Sequence, residues 1–98
     1  MARVRLVPAV FDDLGRIVDH LHQHEVEDAG ARGDPIISAL DVLEDNPLIG
    51  RPAGDGRREL LIGQDSRGDV ALYRYLPVLD TALVLAIRAQ REAGYAGD

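Results

Sequence analysis

The stretch Val70–Leu76, VALYRYL, decides the fold. It alternates apolar and polar-capable residues over a short span that is rich in β-branched and aromatic types, which predicts a strand. A second strand is predicted upstream at Arg58–Ile62, and a third downstream at Ala82–Arg88, after the turn Leu79-Asp80-Thr81. Three consecutive strands joined by short polar turns favour an antiparallel meander in which Val70–Leu76 is the central strand.

The N-terminal part of the chain predicts a strand followed by a helix. Arg3–Val7 alternates and is ended by Pro8. Asp12 and Asp13 are expected in the first helical turn, where carboxylates suit the helix dipole, and Gly15 is interpreted as the mark of a close helix crossing. Apolar residues at spacings of three and four predict one buried stripe: Val10, Phe11, Leu14, Ile17, Val18 and Leu21.

A second helix is predicted over Pro35–Glu44. Asp34 is a good N-cap residue, and proline suits the first helical position. Asn46-Pro47 ends this helix, and Gly50–Gly56 is a loop by composition. Whether residues 25–33 extend a helix or form a loop stays open. The inward residues are expected to be Ile36, Ile37, Leu40 and Leu43.

Residues 1–98 are therefore expected to form a single α+β domain. It consists of a strand, a helical hairpin and a three-stranded antiparallel meander, in one sheet with both helices packed on one face. The hydrophobic fraction of 46% excludes a disordered chain, and the absence of cysteine excludes disulfides and thiolate metal sites. Because no apolar run is long enough for a bilayer and no signal sequence is evident, a cytoplasmic protein without a membrane partner is expected.

Charge is unevenly distributed along the chain. All eleven basic residues are arginine, so no lysine is present to act as a general base or Schiff-base former. Residues 1–50 carry four arginines against ten acidic residues, whereas residues 51–98 carry seven of each. A sheet that concentrates arginine on a protein of net charge −6 is a candidate docking surface.

The order of these elements and several short motifs resemble the ParE/RelE superfamily of toxins from bacterial type II toxin–antitoxin (plasmid-stabilisation) systems. The resemblance is nearest to the ParE branch, because Gly50-Arg51-Pro52, Arg58-Glu59-Leu60 and Tyr73-Arg74 occur together. It covers nearly the whole chain. The other matching residues are Ala9, Asp13-Leu14, Ile17, Ile37, Leu40, Leu43, Asn46-Pro47, Val84-Leu85 and Arg91.

The resemblance implies a partner and a target. Toxins of this family are held inactive by a cognate antitoxin, a short protein with a DNA-binding N-terminus whose C-terminal segment wraps the toxin. Members of the ParE branch act on DNA gyrase, so a gyrase poison without a cofactor is expected here. Direct nucleic-acid binding is not expected, and a homodimer and a non-toxic remnant that only binds an antitoxin both stay open. The residues expected to contact the antitoxin or target are Arg58, Glu59, Tyr73, Arg74, Arg88 and Arg91.

The alternative is ribosome-dependent mRNA cleavage of the RelE type. Cleavage through the 2′-hydroxyl needs a proton acceptor, a proton donor and cations on the phosphate. Arg58 and Arg91 match basic positions of the RelE pattern, and Tyr95 is a candidate for its tail tyrosine. Leu60 and Val70 stand where further basic residues belong, so no complete catalytic set is identified.

Three further sets of side chains each have a structural alternative. Arg74 is expected either to contact a partner or to pair with Glu59 across the hairpin. Tyr73 and Tyr75 share a face as core or groove-lining aromatics, and Arg88 and Arg91 are alternatively a solvated rim. His20 and His24 are four residues apart, a spacing that can bind a metal ion on a helix, and His22 and Glu25 are nearby. The sequence contains no further motif that would complete the ligand set, so no metal site is predicted.

Overall fold

A mixed sheet of five strands is present in the computed structural model, which describes residues 1–23, 33–63, 68–90 and 94–95. The strand order is β1-β5-β4-β3-β2. The pairs β2–β3, β3–β4 and β4–β5 are antiparallel, whereas the pair β1–β5 is parallel. The strands are β1 (Arg3–Leu6), β2 (Arg51–Gly54), β3 (Arg57–Ile62), β4 (Asp69–Leu76) and β5 (Thr81–Ala89).

The helical part of the described chain consists of α1 (Pro8–Gln23), α2 (Gly33–Ala39) and α3 (Val42–Asp45). The predicted second helix is thus two segments. A 3₁₀ turn separates the two segments. In this turn the backbone N–H groups of Leu40 and Asp41 donate to carbonyl oxygens three residues earlier. Most of the segment 25–33, whose conformation the sequence leaves open, lies outside the described residues.

The three strands predicted from the sequence are neighbours in the order β3, β4, β5, and they are antiparallel. The prediction was wrong about Gly50–Gly56, because Arg51–Gly54 is an edge strand rather than a loop. Pro52 is tolerated there, since an edge strand needs hydrogen bonds on one side only. The turn that follows places Asp55 and Gly56 at positive φ.

One apolar core lies between the helices and one face of the sheet. Because side chains alternate along a strand, even-numbered residues of β3 and odd-numbered residues of β4 point to this face. An irregularity in the register between β4 and β5 resets the alternation on β5, so that Val84 and Ile87 share the face. The buried cluster comprises Val10, Leu14, Ile17, Ile36, Leu40, Leu43, Ile62, Ala71, Tyr73, Ala82, Val84 and Ile87.

The sequence pattern assigned two apolar side chains to the core that the structure exposes. Phe11 is 56% exposed and Ile37 is 37% exposed, because the buried stripes are narrower than the pattern suggests. The described side chains do not include Val18 and Leu21, which the same pattern placed inward.

Asp13 is buried beside Leu14 on the side of α1 that faces the core, although its side chain is charged; it is 5% exposed. Helix α1 begins at Pro8, so Asp12 and Asp13 lie beyond its first turn, contrary to the prediction. Gly15 was also misinterpreted. A Cβ atom there would meet nothing within 4 Å among the described residues, so it marks no close helix crossing.

Candidate binding surface on the sheet

The sheet face turned away from the helices carries most of the arginines of the described chain. We call it the arginine face, and define it by the side chains that alternate with the core residues. Strand register places Arg57 directly opposite Arg74, and Arg5 opposite Leu83 on β5. The arginine face carries Arg3, Arg5, Arg51, Arg57, Arg74 and Arg88, with the carboxylate of Glu59 among them.

Glu59 organises one end of this face. Its Oε1 atom lies 3.2 Å from Arg51 Nη2, and its Oε2 atom lies 3.8 Å from Arg88 Nη2. The hydroxyl of Tyr95 donates to Oε2 at 2.5 Å, and the guanidinium carbon of Arg88 lies 5.3 Å from the centroid of the Tyr95 ring. These four residues, Arg51, Glu59, Arg88 and Tyr95, are the Glu59 cluster.

The Glu59 cluster shifts two pKa values in opposite directions. The hydrogen bond from Tyr95, aided by Arg51 and Arg88, lowers the pKa of Glu59 below its usual value of 4.5, although partial burial works against this. Burial, followed by the hydrogen bond to Glu59, raises the pKa of Tyr95 well above 10. At neutral pH the carboxylate is therefore charged and the phenol keeps its proton.

Replacing Tyr95 with phenylalanine is expected to raise the pKa of Glu59 toward 4.5, because the tyrosine hydrogen bond is the largest cause of its depression. A carboxylate with a depressed pKa stabilises the fold above its unfolded pKa, and this stabilisation is lost as pH falls through the folded pKa. The loss of stability in acid that is due to Glu59 should therefore be smaller in Tyr95→Phe, and it should be complete at a higher pH. An NMR titration of the Glu59 carboxyl carbon measures the shift.

The matched control for this titration is Tyr75→Phe. The Tyr75 hydroxyl donates to Asp80 Oδ1 at 2.6 Å and makes no contact with the Glu59 cluster. This variant should leave the Glu59 titration unchanged. A Tyr95→Phe variant that also left it unchanged would show that the phenol does not hold the carboxylate in its charged form.

Two of the residues expected to contact a partner form hydrogen bonds with Gly50. Tyr73 is 0% exposed, and its hydroxyl accepts the Gly50 N–H at 2.8 Å. Arg58 points to the helix side of the sheet, where its Nη1 atom donates to the carbonyls of Gly50 at 2.7 Å and Leu48 at 3.1 Å. Neither side chain belongs to the arginine face.

The predicted pairing of Arg74 with Glu59 is wrong. Arg74 faces Arg57 across the hairpin, whereas Glu59 faces Leu72 and pairs with Arg51 and Arg88. The other expected contact residues, Glu59, Arg74 and Arg88, do lie on the arginine face. Arg91 lies outside the described residues.

The candidate ribonuclease set is not assembled in the described chain. Arg58 lies on the opposite face of the sheet from Tyr95, because neighbouring residues of β3 alternate in direction. Tyr95 meets Glu59 and Arg88 instead. The sequence did not predict that Arg3, Arg5, Arg51 and Arg57 belong to the candidate binding surface. Only the strand register shows that their side chains lie on one face of the sheet.

Two further properties concern the described residues only. None of their helices is long and apolar enough to cross a membrane. They contain no group of three or more histidine, aspartate and glutamate side chains placed to bind a metal ion. The side chains of His20 and His22, and the whole of His24 and Glu25, are not among them.

No family model and no curated protein matches the chain. Several chains of solved structures resemble it, among them the following two. One is a chain from the chromosomal ParDE TA system of P. aeruginosa, which is 22% identical; the likeness covers 91% of this chain and 96% of that chain, with a TM-score of 0.73. The other is from the intact E. coli RelBE toxin-antitoxin complex, 9% identical, with coverages of 89% and 94% and a TM-score of 0.61. The chain therefore shares the fold of these two chains from toxin–antitoxin systems, in agreement with the fold that the resemblance in its sequence implied.

Proposed function

We propose that this chain is the toxin component of a type II toxin–antitoxin module. The observation that carries the proposal is the likeness of fold to chains of the ParDE system and the RelBE complex along nine-tenths of the chain. Both of those structures belong to toxin–antitoxin systems. The partner is a cognate antitoxin, a short protein with a DNA-binding N-terminus, which covers the arginine face and the groove beside the helices.

The target of the free toxin is DNA gyrase. The higher TM-score to the ParDE chain, 0.73 against 0.61, supports this branch over ribosome-dependent mRNA cleavage. The state of the Glu59 cluster supports it as well, because general acid–base catalysis is most effective when the catalytic pKa lies near the working pH. A lowered pKa makes Glu59 a poor base, and a raised pKa makes Tyr95 a poor proton donor. Both directions therefore favour a role of the cluster in recognition over one in acid–base catalysis.

Ribosome-dependent mRNA cleavage is the second candidate, and the Glu59 cluster is the observation in its favour. One phenol and two guanidinium groups lie within 3.8 Å of the Glu59 carboxylate on one face of the sheet. Phosphodiester cleavage uses an acceptor, a donor and cations of these kinds. This candidate requires RNA to move both pKa values toward neutrality when it displaces the hydrogen bond between Tyr95 and Glu59.

The deciding experiment is induction of the chain in a bacterial host with and without the neighbouring antitoxin reading frame. Growth arrest that the antitoxin relieves supports the toxin assignment, whereas normal growth despite tight antitoxin binding identifies a non-toxic remnant. Purified protein is then tested in a gyrase supercoiling assay. Inhibition with a trapped cleavage complex is expected, and the absence of both would remove the gyrase claim.

Mapping of mRNA ends in the same induced cells tests the rival activity. Codon-linked cuts that disappear in Glu59→Gln would favour RNA cleavage. The matched control is Asp55→Asn, which also removes one carboxylate charge, at a turn position outside the Glu59 cluster. A gyrase poison leaves mRNA ends unchanged in the wild type and in both variants.

A further inference from the structure

Three arginines form a line across the arginine face, next to the Glu59 cluster, because Arg57 and Glu59 are two residues apart on β3 and share this face. Arg5 on β1 is the register partner of Leu83 on β5, Leu83 is the partner of Arg74 on β4, and Arg74 is the partner of Arg57 on β3. We call Arg5, Arg74 and Arg57 the arginine row, which Leu83 interrupts. Arg5 is exposed, and the other members are partly exposed.

The positive charge of the arginine row is poorly compensated. Within the described chain, neither Arg5 nor Arg74 has an ion-pair partner. Arg57 lies 3.9 Å from Asp55, whose side chain is 88% exposed. Like charges directly opposite in a sheet, such as Arg57 and Arg74, destabilise it. A surface that places guanidinium groups side by side in this way is suited to bind an external anion.

The spacing of the row favours an extended acidic ligand. Adjacent strands lie about 4.8 Å apart, so the midpoint of Arg74 and Arg57 lies roughly 12 Å from Arg5. An extended peptide directs every second side chain to one surface at intervals of about 7 Å. Two acidic residues four positions apart therefore reach both ends of the row, and the residue midway between them lies over Leu83.

We propose that the arginine row binds an extended segment of a partner polypeptide with the pattern acidic-x-apolar-x-acidic. That the partner is the antitoxin rests on the proposed function, but the binding itself does not. A polypeptide is favoured over nucleic acid because a net charge of −6 opposes a polyanion at long range. The apolar centre at Leu83 also matches an aliphatic side chain and offers no ring on which a base could stack.

The test is an NMR titration of the whole chain with the capped peptide Gly-Glu-Ser-Leu-Ser-Glu-Gly. Shifts are expected at Arg5, Leu83, Arg74 and Arg57, with affinity falling as salt is added. Arg74→Gln and Arg57→Gln should each weaken binding about tenfold. Arg51→Gln removes the same charge from an arginine already paired with Glu59, and it should weaken binding less than about threefold.

Three results would overturn the proposal. One is equal binding of a peptide with glutamine in place of both glutamates. Another is an equal loss of affinity in Arg51→Gln, which would indicate an unspecific response to net charge. A third is that single-stranded oligothymidine binds more tightly than the acidic peptide and that this binding depends on the arginine row. The ligand would then be a nucleic acid. Spectra of each variant without ligand show whether it is folded.

The outcome is separable from that of the proposed function. Antitoxin-relieved growth arrest together with no peptide binding would leave the toxin assignment standing and remove the arginine row as a docking site. Specific peptide binding without growth arrest would leave the row as a docking site on a chain that is not a toxin.

Discussion

Replacement of Gly50 with alanine is expected to lower the free energy of unfolding by about 3 kcal/mol. A Cβ atom at this position would lie 2.6 Å from Tyr73 Cε1, 2.7 Å from the Tyr73 hydroxyl oxygen and 2.8 Å from the carbonyl oxygen of Glu59. Tyr73 is fully buried and cannot turn aside without opening the core. Its movement would also break the hydrogen bond from the Gly50 N–H, which is buried.

Urea unfolding of wild type, Gly50→Ala and Gly15→Ala measures this effect with a matched control. The same substitution at Gly15, on helix α1, places a Cβ atom with no described residue within 4 Å, so it should raise the free energy of unfolding by about 1 kcal/mol. The two variants should therefore move the unfolding midpoint in opposite directions. A Gly50→Ala variant as stable as the wild type would mean that the loop before β2 is not fixed against Tyr73.

Replacement of Asp13 with alanine is expected to cost about 2–3 kcal/mol of stability. Asp13 Oδ2 accepts the backbone N–H of Ile87 at 2.9 Å, and Oδ1 lies 3.6 Å from Arg16 Nη2. The same Arg16 nitrogen donates to the Ile87 carbonyl at 3.2 Å. Alanine would leave a buried N–H group on β5 without its acceptor, and would also remove the carboxylate that helps to hold the arginine in place.

The control for Asp13→Ala is Asp12→Ala. Asp12 is exposed on the same helix, so its removal should change stability by no more than about 0.5 kcal/mol. Asp13→Asn should recover part of the loss, because the amide oxygen can still accept the Ile87 N–H. Equal effects of Asp12→Ala and Asp13→Ala in urea unfolding would exclude this link between α1 and β5.

The sequence predicted the parts of the fold that depend on local periodicity. Alternation identified β1, β3, β4 and β5, since a two-residue period is visible without knowledge of the neighbours. Strand β2 was missed because its proline and glycines are typical of a loop, and only pairing with β3 makes it a strand. Burial of Asp13 was missed for a related reason, because its acceptor role depends on a backbone N–H on a distant strand.

The candidate site was less predictable, because it depends on register. Glu59 and Arg74 looked like a cross-strand pair, but the register joins Arg74 to Arg57 and leaves Glu59 to Arg51, Arg88 and Tyr95. A shift of one residue would turn every side chain of a strand to the other face. The placement of six arginines on one face is therefore a property of the assembled sheet that their positions in the sequence do not reveal.

Pro52 has a consequence for how this sheet could grow. Strand β2 forms one outer edge, and its proline has no amide hydrogen to offer an incoming strand. The irregular register between Pro52 and Gly54 further disturbs that edge. If a second copy or a partner's strand extends the sheet through main-chain pairing, it must therefore join along β1, at the opposite margin of the molecule.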